Sequence, residues 1–430
     1  MPFTKLPTPL FWSAIVALLL VSFAIDFLNT AHGGAIDLRN RVTGIRLMAH
    51  GVDPYTYKWH SGDPDTALDV YNNPRLPVSK TTATPTLLLV LASWQSLPYR
   101  LSEFLWLLAQ WVMLLGAMGC AWWSCALELR RTLVLFFTAF TYTAAWRLHA
   151  ERGQAYIFLA LIFVTWLAVT FHPRLRSNVG DWLGGFLAGV LIPLRPTFLL
   201  LLPFIVLHRR SQFLGAMLGL IIAAGVPLLV RGTCWSEYFA AMQINSELYR
   251  NDIDPAPGPQ HYPGLIEGSP TDLVGAFSVI PYADFSCFGL LRAMGLDHIW
   301  LGNLAIPAWP PLALFGLGFA AWCGLSLRAT PEYLAAGLAS WIFLSDLVLP
   351  AYRDTYNDVL ILPVFAAAFL VGARRFKWPV MLCADALPIG LLVYFTAPEQ
   401  PFLINLPTTL CTAGAVWLVI TTATPIRPVR

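Results

Sequence analysis

The sequence predicts an all-α, polytopic membrane protein of about 11–12 transmembrane helices with amphipathic helices on its outer surface. Three observations carry this. Only 12% of the 430 residues are charged and 57% are hydrophobic, whereas a soluble domain carries about 25% charge, so the chain cannot cover a water-facing surface. Apolar segments of spanning or near-spanning length recur along it. Lys and Arg between those segments fall mostly on one side, as short cytoplasmic loops require. The seventeen tryptophans suit two membrane interfaces, where amphipathic rings settle. A net charge of +3 without a clustered basic stripe excludes nucleic acid as a partner.

The expected apolar helices begin with Leu10–Leu28, Leu101–Leu127, Thr132–Trp146 and Ala155–Phe171. Trp182–Pro193 and Pro196–Leu207 form a short pair meeting at "IPLRP", either two half-spans or one kinked helix. Phe213–Val230, Leu304–Leu327, Tyr333–Pro350, Tyr356–Val371, Trp378–Phe395 and Leu406–Thr422 follow. Ala83–Leu97 is apolar but short, hence interfacial or re-entrant. With Lys5 inside, Arg130, Arg131, Arg174, Arg176, Arg209, Arg210, Arg328, Arg374, Arg375, Lys377, Arg427 and Arg430 also fall inside. This layout needs the "IPLRP" pair to return to its own side, and it puts both termini in the cytoplasm. The whole chain reads as one membrane domain, with a first helix that is not cleaved.

Two long polar stretches then face outward, 29–82 and 231–303, and only they hold enough polar chain to build a site. Cys234 and Cys287 lie in the second and would pair in an oxidising compartment; the other cysteines read as small core residues. Asp63 with Asp65, and Asp252 with Asp254, are D-x-D pairs of the kind that holds a divalent cation. Outside the cell they read as solvated loop acids, and neither a metal nor another cofactor is expected.

Asp37 opens a segment with apolar Val42, Ile45 and Met48 at helical spacing, closed by Gly51. A carboxylate in the first turn is favoured by the helix dipole. The plain alternatives are an N-cap, or a partner for Arg41 four residues on. Arg195 stands between two stretches of uncharged chain, where a guanidinium at membrane depth marks function by default. Arg147, His149, Arg152 and Gln154 crowd an outer loop, "WRLHAERGQAY", against the positive-inside trend. Arg353, Asp354 and Asp358 form another outer cluster, and His261 lies in "PQHYPG".

Several stretches carry a family resemblance. "DLRNRVTGIRLMAHGVDPY" (Asp37–Tyr55), "RGQAYIFLALIFVTWLA" (Arg152–Ala168), "GGFLAGVLIPLRPTFLLLLPFIVLHRR" (Gly184–Arg210), "DFSCFGLLRAMG" (Asp284–Gly295) and "YNDVLILPVFAAAF" (Tyr356–Phe369) recur in an order that resembles the GT-C glycosyltransferases. The nearest group is glycosyltransferase family 87, polyprenyl-phosphate-mannose-dependent mannosyltransferases. Departures are Arg195 where the family often has Lys, "TTATPTLLLVL" in place of Tyr-Pro-Pro before the apolar stretch, and Asp284 in place of Asn.

The resemblance implies transfer of a hexose, by default mannose, from a polyprenyl-phosphate sugar to a glycolipid or glycan acceptor. The reaction would run with inversion, at the periplasmic or outer face of a bacterial cytoplasmic membrane. Asp37 becomes the expected general base and Asp26 its rival. Arg195, Arg152, Arg147 and Arg353 become donor-phosphate ligands. Arg41, His149, Gln154, Tyr55 and His261 become substrate-binding residues. The competing class is a transporter or lipid flippase with Arg195 as substrate ligand, or an assembly partner with a dead site.

Overall fold

The computed structural model describes residues 7–60, 62–68, 76–79, 81–172, 175, 177–250, 309–349, 353, 355–371 and 416. Among them 81% are helical and none lies in a strand. The expected sites at His261, Asp252, Asp254, Cys287, Asp284–Gly295 and Asp354, the expected helix Trp378–Phe395, and all of the expected helix Leu406–Thr422 except residue 416 lie outside the described residues.

Among the described residues, three helices are long and apolar enough to cross a membrane: Thr8–Ala31, Tyr99–Ser124 and Arg210–Val230. Their outer faces expose Leu10, Val16, Leu20, Leu108, Val112, Leu218, Ile221 and Leu229. Apolar faces of this extent require lipid or another apolar partner. The protein is therefore a membrane protein. Several of the expected segments among the described residues are shorter helices or bent pairs. The expected Thr132–Trp146 span breaks at Thr141 to Thr143 into α5 (Arg130–Phe140) and α6 (Ala144–Glu151). Thr143 caps α6 by accepting a hydrogen bond from Trp146 N, which fits the Ser/Thr preference at that position. Helix α6 then meets α7 (Tyr156–Phe171) at a bend of 118°.

Ahead of these lie α1 (Thr8–Gly33), α2 (Ile36–Ala49), α3 (Pro85–Val90) and α4 (Tyr99–Ser124). Helix α3 rises only about 9 Å over its six residues, far short of a span, as its sequence implies. Helix α7 is the central post: Ile157, Ala160, Phe163, Trp166 and Leu167 are all buried. It packs against α4, against α8 (Asn178–Leu194) and against α14 (Ile361–Val371).

The "IPLRP" pair is a helix, a break and a return. Arg195 is extended (φ −153°, ψ 121°), as the residue before a proline prefers. A 3₁₀ stretch at Pro196–Leu200 then leads into α9 (Leu201–His208). Helix α10 (Phe213–Val230) lies backbone to backbone on α8. A Cβ on Gly185 would lie 2.1 Å from the Gln212 carbonyl oxygen, and one on Gly189 at 2.1 Å from that of Ala216. Small residues permit such approach. Because both contacts advance in the same direction, α8 and α10 run parallel, and the segment between them doubles back. The remaining helices are α11 (Cys234–Arg250), α12 (Trp309–Leu325) and α13 (Pro331–Ser345).

Candidate active site

Helix α2 forms over the expected residues and buries Leu38, Val42, Ile45 and Met48. Gly51, at φ +72°, ends it. Asp37 occupies its first turn. The cap is Ala35, a non-glycine held at φ 45°, so Asp37 is not the N-cap. Tyr99 donates its hydroxyl to the Gly34 and Ala35 carbonyls, 2.8 Å each, and fixes this strained link.

The free N–H groups of α2 are met by the bend between α6 and α7. Asp37 N and Leu38 N both donate to the Arg152 carbonyl, at 3.0 and 3.2 Å. Gly153 makes this approach possible: its φ is +66°, and a Cβ there would stand 2.7 Å from Leu38 Cβ. Trp106 Nε1 donates to the Gly153 carbonyl at 3.0 Å and anchors the bend to α4. Two stretches far apart in sequence, "AIDLRNR" and "ERGQAY", thus become one site.

In it, Asp37 Oδ2 accepts from Arg152 Nε at 2.9 Å and from Gln154 Nε2 at 2.5 Å. Both donors converge on that oxygen. Oδ1 takes no hydrogen bond among the described residues, and the side chain stays 19% exposed. Arg41 is not the ion partner of Asp37; it donates to the Gly153 carbonyl at 3.0 Å and to Gln154 Oε1.

Aromatic rings extend the site. The Arg152 guanidinium stands 5.6 Å from the centre of the Tyr356 ring, which stacks on Tyr156 at 5.9 Å. Arg195 lies 4.6 Å over the Tyr156 ring. Arg195 pairs with Asp346, which also takes Asn357 Nδ2 at 3.0 Å and faces Arg353 at 3.4 Å; Arg353 binds Asp358 at 2.5 Å. Among the described residues, Arg195 Nε has no hydrogen-bond partner. Arg152, Arg195 and Arg353 thus gather with Asp37, Asp346 and Asp358, while Arg41 is turned to Gln154 and the Gly153 carbonyl.

Other expected site residues lie elsewhere. Arg147 is not in an outer loop. It is buried on α6, paired with Asp26 and donating to the Ser22 carbonyl at 2.7 Å. Asp26, the rival base, is fully buried, and its second oxygen takes Trp111 Nε1 at 3.0 Å and Trp146 Nε1 at 2.7 Å. With both oxygens engaged and no exposure, it has no route to a substrate proton. His149 is likewise buried, its Nε2 accepting from Ile157 N at 3.2 Å. Tyr55 is a core residue: its hydroxyl donates to the Ala83 carbonyl at 2.9 Å, so it fastens the chain after α2 and does not line the site. Asp63 clips its own loop, accepting from Tyr57 Oη at 2.7 Å and His60 N at 2.9 Å. The His60 N–H and then the Tyr57 hydroxyl hold its carboxyl below the usual range, while burial and Asp63 push Tyr57 up to about 12.

Asp346 is the member the sequence reading missed. Its signal was there: a lone carboxylate in the apolar run "SWIFLSDLVLP", which is costly unless partnered.

Compared with known proteins, the chain matches no family model, no curated protein and no solved structure.

Proposed function

We propose that the protein is a membrane glycosyltransferase that moves a hexose, by default mannose, from a polyprenyl phosphate to a hydroxyl of a glycolipid or glycan acceptor. The observation that carries this reading is Asp37 itself. It is a half-open carboxylate with one oxygen held by Arg152 and Gln154 and the other left to accept a proton. As the acceptor oxygen bonds to the anomeric carbon, the bond from that carbon to the phosphate oxygen breaks. The acceptor proton passes to Asp37 Oδ1, and polyprenyl phosphate departs with its charge. Attack opposite the phosphate inverts the anomeric centre.

The leaving group gains negative charge, and guanidinium groups close to Asp37 support its stabilisation. Arg152 stands beside the base. Among the described residues Arg195 Nε has no hydrogen-bond partner, and Arg353 braces the same Asp346 carboxylate. Guanidinium forks suit phosphate. This reading places the site at the outer face of a bacterial cytoplasmic membrane.

The test uses purified protein in lipid nanodiscs, a panel of polyprenyl-phosphate sugars and a glycolipid extract, with release of polyprenyl phosphate as readout. Acceptor-dependent release supports the reading and names the donor. Substrate crossing the bilayer without such release would replace it with a transporter.

A further inference from the structure

We infer that Gln154 is a positioning residue for the Asp37 carboxylate, with Arg41 setting which end of its amide faces Asp37. This rests on the proposed transfer reaction for its consequence, though not for its geometry.

A glutamine side chain has one accepting and one donating end. Arg41 only donates, so its bond to Gln154 requires the amide oxygen to face the guanidinium. The NH₂ end must then point the other way, and there it meets Asp37 Oδ2 at 2.5 Å. Arg41 also holds the Gly153 carbonyl at 3.0 Å, which fixes the backbone that carries Gln154. The chain Arg41 to Gln154 to Asp37 therefore has one sense only. Together with Arg152 Nε on the same oxygen, it fixes the carboxylate plane and turns Oδ1 away from both donors. A base whose free oxygen is held in place needs no reorganisation when the substrate proton arrives.

The groups facing Asp37 are Arg41 on its own helix, Arg152 and Gln154 from the bend, and Tyr99 from α4, with Arg39 lying over the Tyr99 ring at 4.9 Å. Of these, only Gln154 is a neutral donor on the carboxylate, so changing it alters orientation without removing a charge.

The experiment is carbodiimide coupling of Asp37 to an amine nucleophile, followed by peptide mass spectrometry across pH, on the full chain in nanodiscs. Only the protonated carboxyl couples, so the pH of half-labelling reports its environment without any turnover. In Gln154→Glu two carboxyls share one site and cannot both ionise readily. The half-labelling pH is expected to rise by about one unit or more, a roughly tenfold lower proton concentration, and the pH profile of transfer with it. In Gln154→Met, which removes the donor and keeps the volume, it rises by a smaller step. The kcat falls ~10–100-fold with KM little changed, because the lost contact serves the transition state. An unchanged half-labelling pH in both variants overturns the inference. A shifted profile in a protein that turns over no donor keeps the positioning and removes the transferase reading.

Discussion

Asp26 and Asp37 lie on consecutive helices, and each is met by an arginine: Asp26 by Arg147 on α6, Asp37 by Arg152 at the bend that follows it. Asp26 takes Arg147 and two indole N–H groups and is sealed. Asp37 takes Arg152 and Gln154 on one oxygen, keeps the other, and reaches solvent. The chemistry of the two pairs is the same. What separates them is how many of the carboxylate's lone pairs the protein has already used. A saturated buried pair can only hold helices together; a half-satisfied one at the surface can accept a proton.

The sealed pair should break hardest. Asp26→Asn leaves Arg147 buried without its counter-charge, and an orphaned buried charge costs about 3–5 kcal/mol. Thermal unfolding in nanodiscs should show a large fall or no folded protein. Replacing both charges, Asp26→Leu with Arg147→Met, should restore part of that stability, since apolar replacement of a buried ion pair is often neutral, while the Trp111 and Trp146 indole N–H groups lose their acceptor. A double variant no more stable than Asp26→Asn would contradict the orphaned charge as the main cost.

The open pair depends on the approach of the bend to α2. Gly153→Ala adds a Cβ 2.7 Å from Leu38 Cβ at a positive φ. It should cost about 1–3 kcal/mol and displace Arg152 and Gln154 from Asp37. Transfer should fall by more than the stability loss accounts for. Equal activity in folded protein would detach the bend from the site.

A smaller effect separates site from scaffold. Glu237 is held below the ordinary carboxylate value chiefly by its hydrogen bonds from Arg231, at 2.7 and 2.6 Å. A lowered folded pKa means this contribution is present above about 4.5 and lost as pH falls through the folded value. Glu237→Gln should therefore remove about 1 kcal/mol at neutral pH and nothing at acidic pH. Transfer should be unaffected, because this clamp ties α11 to the Gly51 carbonyl, away from Asp37.

Helix α2 was legible because its signals are local: apolar spacing at Val42, Ile45 and Met48, an acid in the first turn, and Gly51 at the end. The break at Arg195 was half legible: Pro196 disfavours helix at the residue before it, yet Pro193 lies inside α8, so the prolines alone left a kinked helix open. The bend was not legible. "WRLHAERGQAY" reads as a polar loop, since its charges are costly in a helix at membrane depth unless paired, and their partners are Asp26 and Asp37, which no local spacing reveals. Tyr55 was expected in the site only from the resemblance, and its burial against the Ala83 carbonyl is a long-range contact that no local spacing reveals. The Asp346 hub needed the helix around 331–345 to meet the break after α8, a contact that sequence alone does not specify.

The most direct test of the account is Asp37→Asn, with thermal unfolding and polyprenyl-phosphate release measured on the same nanodisc sample. The account predicts unfolding close to wild type, because Gln154 and Arg152 keep an acceptor, and release lowered by ~10²–10⁴-fold, the range a positioned general base supplies. Release at the wild-type rate from folded Asp37→Asn protein would contradict it and leave both aspartates as scaffold.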